Sequence, residues 1–270
     1  MRKATVLIFA LGLLTLLSLI CLEMGLKRMV EVKKARLFLN KTRASLLALS
    51  GINCAKNLFL SGNVGDGLQF EVVYNFPYRE GSLKLFVEDE SSRIDLNFAS
   101  DEVLENLFNS VGLGEKLDYV LDYIDQDSSR RRFDSEQNAK NGSLDFTEEL
   151  LLINEISASD YSRIKDFITV FNGDEMINVN TAKEEVLEAV VGSLLAAKIL
   201  SAKESAGYNN SEWQNLLDGL SAAQQKVLRE NCKIDYGHLR INSRAEIAKA
   251  DKNILCVIDQ NQKVRYWHEE

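Results

Sequence analysis

A chain of 270 residues with 46% hydrophobic and 27% charged side chains is long enough for one or two packed cores and has the material to fill them. One proline and 15 glycines exclude collagen-like and low-complexity chains. The net charge of −8 is unevenly spread: residues 27–43 carry seven basic side chains against one acidic, and residues 88–160 carry 19 acidic against 6 basic. A stretch that acidic repels phosphate backbones and attracts cations or basic partners.

Residues 5–22, TVLIFALGLLTLLSLICL, hold no charge and follow Arg2 and Lys3. Eighteen apolar residues reach the length of a membrane span. A secretory signal peptide shares the basic start and apolar centre, but no small-residue cleavage site follows Leu19 to Glu23. A lipoprotein cysteine is preceded by a small residue, and Cys21 follows Ile20. The basic pair at the N-terminus and the basic cluster over 27–43 pull the orientation rule in opposite directions.

No glycine or proline break separates the span from an amphipathic stretch, so residues 27–60 read as the same helix continued. Leu46, Leu47, Leu49, Ile52, Ala55, Leu58 and Phe59 recur at helical spacing. Turn residues from Ser61 to Gly67 stop it. Two strand-like runs follow, from Leu68 to Tyr74, bounded by Pro77, and from Leu83 to Val87. Strands resume only near the C-terminus, from His238, over 254–258 and over 264–267, with a turn over 259–262. The 140 or so residues between are mostly of helical pattern. A sheet interrupted by a helical insertion is the simplest reading.

A phrase occurs twice inside that insertion: IDLNFASDEVLE at 94–105 and INVNTAKEEVLE at 177–188, 83 apart and identical at seven of twelve positions. That is an internal repeat. An extended apolar step leads to Asn97 or Asn180. Ser100 or Thr181 then caps a helix with acids in its first turn, and Val103, Leu104, Val186 and Leu187 face the core. Val111-Gly112-Leu113-Gly114 and Val191-Gly192-Ser193-Leu194 follow as hairpins, each leading into a further helix. The units resemble helix-hairpin-helix and SAM-like modules, which hold DNA phosphates through backbone amides. Glu115, Asp118, Asp122, Asp125 and Asp127 beside the first hairpin carry the wrong sign for that, so a protein-packing role is expected.

Three further motifs join the repeat: Arg93-Ile94-Asp95-Leu96-Asn97, Leu121-Asp122-Tyr123-Ile124-Asp125-Gln126-Asp127, and the segment from Phe146 to Ile153. With Ile177-Asn178-Val179-Asn180-Thr181-Ala182 they resemble, in order along the whole chain, the K-type minor pseudopilins of type II secretion, the general secretion pathway protein K family. The resemblance implies an α+β fold, a long N-terminal membrane-spanning helix packed on an antiparallel pseudopilin-like sheet. A large helical insertion of two SAM-like units interrupts that sheet. It divides the chain into a leader (1–4), a transmembrane and assembly helix (5–60), the first part of the sheet (61–92), the insertion (93–225) and C-terminal strands (226–270).

The resemblance also implies a leader cut between Ala4 and Thr5 by a prepilin peptidase. The ectodomain then lies in the periplasm on a single inner-membrane pass, and I-type and J-type minor pseudopilins, with secreted substrates, are the expected partners. Pilin leaders carry Gly before the cut and Glu at the fifth mature position, where this chain has Ala4 and Phe9. K-type subunits lack that Glu too, which suits a subunit with none beyond it. The loop after Leu121–Asp127 is associated in the family with calcium, for which Asp125, Asp127, Asp134 and Glu136 offer oxygens, and Arg130, Arg131 and Arg132 compete for the same acids.

Other chemistry is sparse. The sequence has no Walker loop and no G-x-S-x-G, and His238 and His268 stand 30 apart outside any metal-ligand spacing, so no catalysis is expected. Cys232 and Cys256 form a disulfide or remain two buried thiols. A membrane-anchored helix-hairpin-helix DNA receptor is the alternative function.

Overall fold

The computed structural model describes residues 2–60, 70–126, 129–131, 139–203 and 207–270. Helix α1 (Arg2–Leu60) is continuous over 59 residues, as the unbroken helical pattern requires. The turn expected over 61–67, and Leu68 and Gln69, lie outside the described residues.

Strands β1 (Val73–Tyr78) and β2 (Gly81–Asp89) form an antiparallel hairpin. The first strand therefore begins later than its apolar run suggested and contains Pro77 rather than stopping before it. β1 is an edge strand, where a missing N–H leaves no partner unpaired. The insertion then runs through a 3-10 turn (Glu90–Ser92), β3 (Ile94–Asp95), α2 (Asp101–Ser110) and α3 (Leu117–Ile124). A 3-10 stretch (Thr147–Leu152), α4 (Ala158–Ile164), β4 (Ile168–Thr169) and β5 (Ile177–Asn178) follow. It closes with α5 (Glu184–Val191), α6 (Ser193–Ala202), α7 (Asn210–Asp218), α8 (Ala222–Asn231) and β6 (Cys232–Lys233).

Strands β7 (His238–Ile247), β8 (Ala250–Asp259) and β9 (Val264–Glu269) complete a five-stranded antiparallel sheet of order β1-β2-β7-β8-β9. The expected interruption is thus an insertion between two neighbouring strands. It leaves after Asp89 and returns before His238, and Asp89 is paired with Leu239. It ends at β6 rather than at residue 225, because β6 pairs with β5 and Leu228 and Cys232 belong to the helical core.

The repeated phrase folds alike in both copies. β3 pairs in parallel with β4, Ile94 opposite Ile168, and β5 pairs in parallel with β6, Ile177 opposite Cys232. The Asn97 amide brackets Leu144, donating to its carbonyl and accepting from its N–H. Asn180 does the same with Tyr208 and donates also to the Ile234 carbonyl. α2 packs on α5, and Asn106 Nδ2 donates to the carbonyl of Ala189, the residue 83 positions on. Leu104, Val186 and Leu187 are buried as expected.

Capping differs between the copies. Ser100 caps α2, but Lys183 stands at the equivalent position of α5 and makes no side-chain cap. Thr181 is therefore not a cap; its hydroxyl donates instead to Asp89 at the end of β2.

Candidate assembly surface

At 1.5 Å per residue, α1 is about 90 Å long. It is the one described helix long and apolar enough, by length and composition, to cross a membrane. Ala4 and Thr5 fall in its first turns. Phe9, where pilins carry an acid, is exposed, as are Leu11, Leu13, Leu14 and Leu19. The exposed apolar side chains continue past the uncharged stretch through Met29, Val30, Val32, Leu37 and Phe38, interleaved with the basic cluster. An apolar surface of this extent is stable in water only when lipid or protein covers it.

The C-terminal part of α1 has its cover built in. Ala44, Ala48, Gly51, Ile52 and Ala55 are buried against Leu83, Leu85, Ile241 and Ile254 of the sheet. Small residues at spacings of four and three let helix and sheet come close. A Cβ at Gly51 would run into Ser243 Oγ and lie 3.2 Å from both Leu83 methyls. The buried Ser243 hydroxyl donates to the Ala48 carbonyl at 2.8 Å, fixing the helix against β7. Outside this seam Leu46 and Leu49 stay exposed.

Helix and sheet also share a direction. Ala48 meets Ser243, and ten residues beyond the end of α1 the Phe70 ring lies 5.7 Å from that of Tyr236, just ahead of β7, while Glu71 N donates to Val87 near the end of β2. α1 therefore climbs toward the end of β7 from which the insertion emerges. The helical head sits at the end of the molecule away from the apolar segment.

A buried polar junction holds the head to the sheet. Asp89, at the end of β2, accepts from Ser91 N, Asn178 Nδ2 (2.7 Å) and Thr181 Oγ1 (2.8 Å), so it ties the sheet to the second repeat. Burial raises its pKa against the pull of those donors. Glu90 is fully buried between Arg240 of β7 and Arg93. Burial alone would raise its pKa, but the two guanidiniums outweigh it and hold the carboxyl below the usual range. Arg93 also pairs with Glu88 at 2.6 Å, and Ser91 Oγ accepts from Gly237 N where the chain returns to the sheet. Asp95 receives the N–H groups of Asn97 and Gly173, and burial raises its pKa. The sequence marked Asp95 and Asn178 as repeat residues. It did not reveal Glu90 and Arg240, because their 150-residue separation hides the pairing.

Of the four acids expected to hold calcium, Asp127, Asp134 and Glu136 lie outside the described residues. Asp125 stands with Asp101 and the fully buried Asp122 around Arg131. The guanidinium is 3.1 Å from Asp101 Oδ2, 3.2 Å from Asp122 Oδ1 and 3.9 Å from Asp125 Oδ2. Asp122 Oδ2 accepts the Arg131 backbone N–H at 2.8 Å. With a guanidinium among them, these carboxylates do not fit a calcium ion, which needs six to eight oxygens at 2.3–2.6 Å. Among the described residues no group of three His, Cys, Asp or Glu side chains is placed to hold a metal.

Cys232 and Cys256 are both free. They do not pair because each is buried in a different core, Cys232 under the helices and Cys256 under α1, and burial pushes each thiol up to about 12. The first hairpin is closed from within: Arg163 donates to the Val111 carbonyl and lies against Gly112, whose φ of +68° suits glycine.

Residues 177–231, the second repeat and the helices after it, match the family model for type II secretion system (T2SS) protein K. No curated protein matches the sequence. A chain of the crystal structure of the GspK–GspI–GspJ complex from the enterotoxigenic Escherichia coli type 2 secretion system shares the fold. The TM-score is 0.65 at 18% identity, over 90% of this chain and 99% of that one.

Proposed function

We propose that this chain, whose matched segment is that of type II secretion protein K and whose fold recurs in the GspK–GspI–GspJ complex, is a minor pseudopilin that caps the tip of a pseudopilus. It acts by assembly. The observation that carries this reading is the polarity of α1: exposed apolar side chains from Phe9 to Leu39, then a buried seam under a sheet whose far end bears the head. The bare part spans the inner membrane and packs beside the helices of I-type and J-type partners, with the ectodomain in the periplasm. The bulky head occupies the place where a further subunit would have to sit. Phe9, in place of an acid, leaves α1 without the carboxylate that pairs with a neighbouring subunit's amine. Prepilin peptidase is the expected processing enzyme, and secreted proteins are the expected cargo.

The acidic flanks of the first hairpin and its closure by Arg163 count against phosphate binding and thus against a DNA receptor. The mass of the N-terminal peptide from native membranes tests the reading. A start at Thr5 with a methylated amine is expected, and a start at Met1 would leave α1 an ordinary anchor.

A further inference from the structure

Between Leu22, where the uncharged run ends, and Ala44, where the seam begins, α1 has no cover from its own chain. At 1.5 Å per residue that is about 30 Å of bare helix. Lys27, Arg28, Lys33, Lys34 and Arg36 stand on its first half, all exposed. Lys27 pairs with Glu23 one turn away, both side chains in solvent, a contact that contributes little. The other four make no ion pair with the described residues. A hydrocarbon core of about 30 Å takes about 20 residues. Counted from Thr5 it ends near Met24, which puts Lys27 and Arg28 in the headgroup layer beyond it. Lys33, Lys34 and Arg36 stand about 13–18 Å past Met24, but side chains on a helix lean toward its N-terminus, here toward the membrane. The field of a charged surface reaches about 8–10 Å, so these three still feel it. Lys41 and Arg43, about 25–29 Å out, do not.

The five cations also ring the helix. At about 100° per residue, Lys27 and Lys34 share one side, Arg28 stands about 120° round from Lys34, Arg36 about 200° and Lys33 about 260°. A protein partner covers one side of a helix, whereas a headgroup layer meets it all the way round. We infer that this collar, Lys27 to Arg36, binds the headgroups of anionic phospholipids and seats the unassembled subunit in the leaflet where α1 leaves the bilayer. The inference rests on the reading of α1 as a membrane span and not on the capping role. Lysine and arginine hold phosphate oxygens through charge-assisted hydrogen bonds. Leu26, Met29, Val30 and Val32, exposed between the cations, suit the same boundary, where apolar side chains enter the acyl edge. Partner helices that pack on this part of α1 displace that lipid.

The test uses the full chain in neutral detergent, titrated with phosphatidylglycerol or with phosphatidylcholine, with bound lipid counted by native mass spectrometry. The expected result is a roughly tenfold preference for phosphatidylglycerol, which Lys27→Gln combined with Arg28→Gln cuts to about threefold or less. Lys41→Gln combined with Arg43→Gln removes the same charge outside the headgroup layer and should leave the preference intact. Equal binding of the two lipids by the parent chain, or an equal loss from both variants, would overturn the collar. So would displacement of the lipid by excess inorganic phosphate, which would make the site one for a free anion. These measurements involve no partner and no filament, so their failure leaves the capping role standing. Release of the parent chain from native membranes by alkaline carbonate would overturn the span on which both rest.

Discussion

Gly51 and Ser243 set how closely the long helix lies on the sheet. Any side chain at 51 displaces the hydroxyl that donates to Ala48 and presses on Leu83. Gly51→Val should therefore cost about 1–3 kcal/mol, read by urea denaturation of the detergent-solubilised chain. A charge effect is expected at Glu90. Its pKa is depressed in the fold, so its contribution to stability is present above the ordinary value of 4.5 and is lost as pH falls through the lower folded value. Glu90→Gln leaves Arg240 and Arg93 facing a neutral group, a loss of about 3–5 kcal/mol near neutral pH. The gap between parent and variant should narrow as pH drops below 4.5. Asp89 and Asp95 run the other way: their raised pKa values give stability that is present below 3.8 and lost as pH rises through the folded values. Comparing parent with variant at each pH isolates Glu90 from both.

At the scale of elements, α1 carries two faces with different duties. Ala44, Ala48 and Ala55 are spent on the sheet, while Leu46 and Leu49 point away from it. Leu46→Glu combined with Leu49→Glu should leave the melt nearly unchanged yet abolish co-isolation, from membranes, of the partner subunits proposed above. Retained co-isolation would place the partner contact elsewhere. The helix was legible in the sequence because an uncharged run passes into a helical stripe without a breaker. The twin strands and asparagines of the insertion were legible because the phrase repeats. Less was visible where distant residues decide the outcome. Thr181 does not cap α5: its hydroxyl is held by Asp89, a partner 92 residues away, and the position equivalent to Ser100 is Lys183, which makes no side-chain cap. The cysteines read as a plausible pair by spacing alone, and only packing shows that they belong to different cores. Among the loop acids, the sequence offered both a cation and three arginines; geometry placed Arg131 among Asp101, Asp122 and Asp125.

For the whole molecule, the head is an addition to a sheet that is complete without it. Asp89 pairs with Leu239, so a short turn replacing residues 90–237 would join β2 to β7 without altering the other pairings. That deletion should still enter filaments, and pseudopili built with it should grow longer, since nothing then blocks the position above the sheet. Loss of all filament association would instead make the head the contact surface. The capping role is tested most directly by gold labelling of the head on sheared pseudopili viewed by electron microscopy. The structure's polarity, with the apolar segment at one end of α1 and the head at the other, predicts label at a single end of each filament. Label repeated along the filament length would contradict it.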